Sequence, residues 1–279
     1  RILGGVVLVG IVGLLVMTFV ALNSASRSAA QVAASGQALM QSQRLAKAVS
    51  QALVGSPKAF PEVRESSETL TRTVQGLQHG DARIAAAPSA VQEALEPLMP
   101  LVERAGRNAG VVLAQQQVLT QVGQALRAIN RQSSELLETA EAVASIKLRQ
   151  DASAAELSAA GQLVMLTQRI GKSANEFLTM EGFSPQAVFL LGKDLDSFRE
   201  IGHGLAEGNA ELRLPAPRDA QTRERVAALL RQYEETRREA AVILGNLQGL
   251  VSARAAQASI IADSEPLRKG LEELQSKLE

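Results

Sequence analysis

Hydrophobic residues recur at three- and four-residue steps along most of this chain, the spacing of an amphipathic helix. Ala38, Leu39, Leu45, Ala46, Val49 and Leu53 share one stripe. Val118, Val122, Leu126, Ile129, Leu136, Ala140 and Val143 keep a seam close to a heptad repeat. Nowhere is there the strict alternation of a half-buried strand. Ahead of these stripes, Ile2 to Leu22 has no charge and nothing more polar than Thr18. A helix of that length spans about 30 Å, the thickness of a bilayer's hydrocarbon core. The pattern breaks at Gly55-Ser56-Pro57, Gly80 to Pro88, Gly182 to Pro185 and Gly208 to Pro217. A softer break falls near Asp151, where Ser153 and Glu156 have the spacing of a capping box.

These breaks predict six helices after the apolar one: 24–54, 58–79, 88–149, 153–180, 185–207 and 217–279. At a rise of about 1.5 Å per residue, the third and sixth would each be roughly 90 Å long. The expected architecture is all-α. A transmembrane anchor at 1–22 precedes two stacked antiparallel four-helix bundles, which share long helices 88–149 and 217–279. Pro97, Pro100 and Pro266 are expected at first turns or kinks.

The short, short, long order reflects a duplication. GQALMQSQRLAKAVS, Gly36 to Ser50, returns as GQLVMLTQRIGKSAN, Gly161 to Asn175. Ser56-Pro57 matches Ser184-Pro185, and Gly76 to Asp81 (GLQHGD) matches Gly204 to Asn209 (GLAEGN). The expected units are therefore 23–150 and 151–279, two related modules and not a solenoid.

Composition narrows the function. Aromatic residues make up 3% and Trp is absent, which suits helices packed through small side chains. The 29 basic and 29 acidic residues balance without a long run of either sign, so no nucleic-acid partner is expected. Cysteine is absent, which excludes thiol chemistry. No nucleophile elbow, phosphate-cradling loop or zinc spacing is present, so no catalytic residue, metal or cofactor is expected. His79 and His203 each adjoin Gly and are expected near helix ends. Lys193, Asp194 and Asp196 suggest a cation site, but neighbours two apart on a helix diverge. The chain opens on Arg1, so it is expected to be a piece of a longer protein. A retained anchor is favoured over a cleaved secretory signal because signal cores are shorter, about 7 to 15 residues.

On a helical wheel the repeated motif has two faces. Ala38, Leu39, Ser42, Leu45, Ala46 and Val49 point inward, as do Leu163, Val164, Thr167, Ile170, Gly171 and Ala174. Gln37, Met40, Arg44 and Lys47 lie opposite, matched by Gln162, Met165, Arg169 and Lys172. With Gln43 and Gln168 alongside, each copy carries a small cluster of cationic and amide donors. Such a cluster suits an anion, an acidic partner or a second subunit, or is simply a solvated face.

Ser42 to Lys47 (SQRLAK), Thr167 to Lys172 (TQRIGK) and Asn175 to Phe198 (NEFLTMEGFSPQAVFLLGKDLDSF) resemble the signature of the PilJ-type sensor domain. That resemblance implies the periplasmic part of a methyl-accepting chemotaxis transducer of type IV pili, held in the bacterial inner membrane. It implies a homodimer with Met40, Gln43, Arg44, Lys47, Met165, Gln168, Arg169 and Lys172 at a ligand or subunit interface. It further implies pilin as a candidate stimulus, and a CheA-type kinase with its CheW-type adaptor reached through a cytoplasmic part beyond Glu279. MQSQRL, Met40 to Leu45, also resembles the nitrate-sensing element of nitrate/nitrite sensor kinases. In those kinases an arginine stands immediately before the Met; here Leu39 and Val164 occupy that place, while Arg44 and Arg169 match the element's second arginine. The alternatives to a chemoreceptor are a membrane-tethered structural or scaffold bundle without sensory output, or the sensor part of a nitrate-sensor-like histidine kinase.

Overall fold

The computed structural model describes residues 2–179 and 184–279. The described regular structure is helical apart from one isolated bridge between Asn209 and Leu214. In chain order the helices are α1 (Ile2–Leu53), α2 (Ala59–His79), α3 (Ser89–Leu95), α4 (Met99–Ala114) and α5 (Gln116–Arg149). They continue as α6 (Ala154–Phe177), α7 (Pro185–Glu207), α8 (Ala220–Leu244) and α9 (Leu247–Leu278). The all-α expectation therefore holds. The expected helix end at Met180 and the break at Gly182 lie outside the described residues.

α1 runs without interruption from the apolar N-terminal stretch into the repeated motif. Leu8 to Leu22 are exposed, and this is the one described helix long and apolar enough to cross a membrane. Within it, the Thr18 hydroxyl donates to the Leu14 carbonyl at 2.7 Å, so the single polar side chain there has a partner without water.

The chain forms two compact units. The first takes residues 1–49, 58–113 and 256–279; the second takes 50–57 and 114–255. In the first unit the helices form a closed ring of neighbours. Arg44 on α1 faces Glu65 on α2, and Gly106 on α4 faces Thr71 on α2. Arg104 on α4 forks onto Asp263 on α9, Asn108 donates to Ser259 beside it, and Gln275 on α9 reaches Gly36 on α1. Leu45, Phe60, Leu70, Leu95, Val102 and Leu271 fill the centre. Each such side chain contributes about 1.5–3 kcal/mol when fully buried.

In the second unit α5 packs on α6 and α8, and α7 packs on the same two helices, closing a second ring. Leu136, Ile170, Leu191, Leu229 and Tyr233 are buried within it. Tyr233 stacks on Phe198 with ring centroids 5.2 Å apart and donates its hydroxyl to the Leu195 carbonyl at 3.0 Å. The capping box forms as expected: Ser153 accepts from the Glu156 N–H, and Glu156 accepts from the Ser153 N–H. Glu156 also receives the buried Lys147 ammonium at 3.0 Å. Burial pushes the Glu156 carboxyl up, but Ser153 and Lys147 outweigh it and hold the carboxyl below its ordinary range.

The long helices differ from expectation. Residues 88–149 are interrupted by a 3-10 turn, Glu96–Leu98, which contains Pro97, and again at Gln115. Residues 217–279 are interrupted at Gly245 and Asn246. Neither Gln115 nor Gly245-Asn246 carries a proline signal. A Cβ on Gly249 would lie 2.5 Å from the Gln115 side-chain oxygen, so the two interruptions are neighbours. The Asn246 amide donates back to the Val242 carbonyl at 2.7 Å, taking an acceptor that the continuing helix would have used. His79 ends α2, and the exposed His203 lies within α7, four residues before its last residue, Glu207.

The duplicated GLQHGD and GLAEGN segments build the same turn. Gly80 (φ 77°) and Gly208 (φ 88°) occupy backbone conformations that disfavour a side chain. Asp81 then accepts from the Arg83 and Ile84 N–H groups, and Asn209 accepts from the Leu212 N–H. These repeated glycines and their following Asp or Asn therefore serve the backbone.

Candidate functional site: the repeated helix face

The two copies of the motif lie on α1 and α6 with nearly the phase read from sequence. Ala38, Ser42, Leu45 and Val49 are buried, as are Leu163, Thr167, Ile170 and Ala174. Leu39, Ala46, Val164 and Gly171 are half-buried, while Gln41, Ala48 and Leu166 join the core. The stripe centre is thus rotated by part of a turn from the expectation. The buried hydroxyls recur in role as well as place: Ser42 donates to the Leu39 carbonyl and Thr167 to the Leu163 carbonyl, each at 2.7 Å.

The opposite face is open. Gln37, Met40, Gln43 and Lys47 are exposed on α1; Gln162, Met165, Gln168, Arg169 and Lys172 are exposed on α6. Met40 keeps 55% and Met165 46% of its surface in solvent, large values for apolar side chains. Gly36 and Gly161 lie one turn before these methionines. A Cβ on Gly161 would meet nothing within 4 Å, and one on Gly36 would meet only the Gln275 amide at 4.0 Å. Packing within the chain therefore requires neither glycine, although interior helical glycine costs about 0.5–1 kcal/mol relative to Ala.

The two arginines are engaged. Arg44 stands 3.6 Å from Glu65 on α2, with both side chains well exposed. Arg169 stands 2.9 Å from Asp194 on α7, whose side chain is only 5% exposed. Burial pushes the Asp194 carboxyl above its ordinary value, opposed by the charges of Arg169 and Lys193. Lys172 pairs loosely with Glu176 at 3.8 Å.

Asp194 is the residue that sequence reasoning set aside. It lies on the apolar stripe of α7 between Leu191 and Phe198, and that phase was the available signal. By the repeat, Asp194 corresponds to Ser66, 128 positions earlier. Ser66 is buried too, and its hydroxyl has no hydrogen-bond partner among the described residues, nor has the side-chain oxygen of Gln41. One copy thus holds a buried carboxylate under its motif arginine where the other holds a neutral hydroxyl. No group of three or more His, Asp or Glu side chains among the described residues is arranged to hold a metal.

The chain matches the family described as PilJ, type IV pili methyl-accepting chemotaxis transducer N-term, over residues 20–128 and 148–259. It belongs to that family. Each matched stretch contains one copy of the motif. Protein PilJ of Pseudomonas aeruginosa is 26% identical over 267 residues, covering 94% of this chain. The chain spans 39% of that relative's length. Membership makes the chain part of a chemotaxis transducer family, whose members are signalling proteins and not classical enzymes. Together with the apolar start of α1, it suggests a membrane-anchored protein.

Proposed function

We propose that this chain is the periplasmic sensor region of a transmembrane methyl-accepting chemoreceptor of the bacterial inner membrane. It signals to a CheA-type kinase and so controls type IV pilus function and twitching motility. The observation that carries the reading is the unbroken α1: an apolar span continues as one helix into the bundle that bears the repeated motif. A continuous helix transmits a displacement to the membrane with little loss, and a stimulus acts by favouring one of two helix positions. The duplicated sequence modules 23–150 and 151–279 are the sensor's two related parts in this reading.

The receptor works as a homodimer whose contact runs through the exposed stripes of α1 and α6. Met40 and Met165, the unfilled Gly36 and Gly161, and the flanking Gln43, Lys47, Gln168 and Lys172 supply a surface on which a second helix lies close. Arg44 and Arg169 tie those stripes to α2 and α7, so a stimulus such as pilin that moves the stripe also moves the pairs. The test is complementation of a strain lacking the receptor gene. The gene carrying Gly161→Leu should restore protein level but not twitching or CheA-type kinase output. Full output from that variant would remove the α6 stripe from the dimer contact, and failure of the unaltered gene to restore kinase output would favour the scaffold reading.

A further inference from the structure

The second unit has an open groove of about 740 Å³ between α7 and the α8–α9 junction. That volume is in the range of small-molecule sites, about 300–1,000 Å³. Phe189, Leu247 and Val251 form its apolar surface, and Lys193, Asp196 and Glu200 its polar edge. Phe189 is 71% exposed, an unusual position for a phenylalanine in a chain with six. Gly192 opens the middle of the wall, and a Cβ there would meet nothing within 4 Å. A glycine in a helix interior weakens the helix, and no neighbour in the chain requires this one.

The duplication supplies an internal control. The corresponding α2 positions, 128 earlier, are Pro61 for Phe189, Arg64 for Gly192, Glu65 for Lys193 and Arg72 for Glu200. The first copy has an arginine at the notch position and no aromatic side chain at 61, so it lacks the residues that shape this groove.

Electrostatics select the occupant. Asp196 and Glu200 are one turn apart on α7, and neither makes an ion pair among the described residues. The end of α8 at Leu244 and the start of α9 at Leu247 both lie at the groove, and their opposed helix dipoles offset one another, which leaves the side-chain charges to decide. Lys193 offsets one of these charges. A twofold contact between copies centred here would bring like acidic pairs together, and such contacts are self-complementary.

We propose that this groove binds a small amphipathic cation, its apolar body against Phe189, Leu247 and Val251 and its ammonium or guanidinium group held by Asp196 and Glu200. The site does not depend on the receptor reading, because its test reads binding and not signalling.

The experiment uses the full 279-residue chain in phosphatidylcholine nanodiscs. Hexylammonium, 1-hexanol and hexanoate are titrated by saturation-transfer NMR, with empty nanodiscs correcting for partition into lipid. Hexylammonium should bind at least about tenfold more tightly than hexanoate, the discrimination expected of a charge-assisted contact. Gly192→Leu should cut hexylammonium affinity by about tenfold or more through steric filling, with melting unchanged. Gly110→Leu, whose site on α4 is equally open, should leave binding intact. Asp196→Asn with Glu200→Gln should lower hexylammonium affinity to that of hexanol. Equal binding of hexanoate, or no effect of Gly192→Leu, would overturn the proposal. Conversion of a dimer to a monomer by Phe189→Ala would also overturn it, making the groove a contact between copies.

Discussion

Removing Arg169 should destabilise the second unit in a manner set by pH. The guanidinium is 2.9 Å from a carboxylate whose side chain is 5% exposed, while the arginine side chain itself is 46% exposed. Coulomb's law at that separation gives about 1.4 kcal/mol at the dielectric of water and about 6 kcal/mol at an effective value near 20. Solvent on the arginine side places the pair toward the lower figure, so Arg169→Ala should cost about 1–3 kcal/mol at neutral pH. That corresponds to a fall in melting temperature on the order of 2–10 °C for a unit of this size. The sign with pH follows from Asp194. Burial raises its folded-state pKa above the unfolded value. Between those values the native state therefore binds more protons than the unfolded one, and this group's contribution falls as pH rises. Loss of Arg169 raises the folded value further, so the variant's deficit is full at neutral pH and shrinks as acid protonates Asp194. Circular dichroism melts of the membrane-embedded chain from neutral to mildly acidic pH measure this. In an Asp194→Asn background the same substitution should cost less than about 0.5 kcal/mol, the double-mutant signature of one shared pair. A deficit that persists unchanged in that background, or grows in acid, would refute the reasoning.

The opposite result is expected at Ser66, whose buried hydroxyl has no partner among the described residues. Ser66→Ala should leave stability unchanged or raise it by up to about 1 kcal/mol in the same melts, since an unsatisfied group is removed. Gly171→Leu should cost about 1–3 kcal/mol by overpacking, because even a Cβ there would lie 2.8 Å from the Ser133 hydroxyl on α5. An unchanged melting temperature would mean that α5 and α6 are not closely approached there. In this cysteine-free chain, cysteine at Met40 should crosslink in membranes faster than cysteine at the exposed control Arg72. Equal rates would remove the α1 stripe from the dimer contact.

The fold was legible where one physical rule acts over many residues. Helical spacing, the glycine-and-proline breaks and the Ser153–Glu156 box located the helices because each is local. The duplication fixed the shared turn geometry at Gly80 and Gly208. The interruptions at Gln115 and at Gly245-Asn246 were not read from sequence, because the apolar spacing runs on through both and neither carries a proline. The motif arginines were harder for a different reason. On a wheel drawn for α6 alone, Arg169 points away from the core and reads as a solvated charge. Its partner Asp194 is contributed by α7 and is distant in sequence, so only the packing of two helices brings them to 2.9 Å.

That pair also changes what the repeated arginines can do. An arginine free on a helix face offers its full charge to a ligand or partner. Arg169 already holds a carboxylate that burial makes costly to leave alone, so an incoming anion competes with Asp194 and not merely with water. Arg44 faces the exposed Glu65, which is well hydrated without it, and Ser66 beneath carries no charge. Residues that look identical in sequence are therefore unequal in energy. The first copy's arginine moves at little cost, and the second copy's does not. Double-mutant cycles at both positions, Arg44 with Glu65 and Arg169 with Asp194, measure that asymmetry directly. The exposed pair should couple by about 0.2–1 kcal/mol, and the half-buried pair should couple more strongly. Equal couplings would mean that burial of Asp194 contributes nothing to how tightly Arg169 is held.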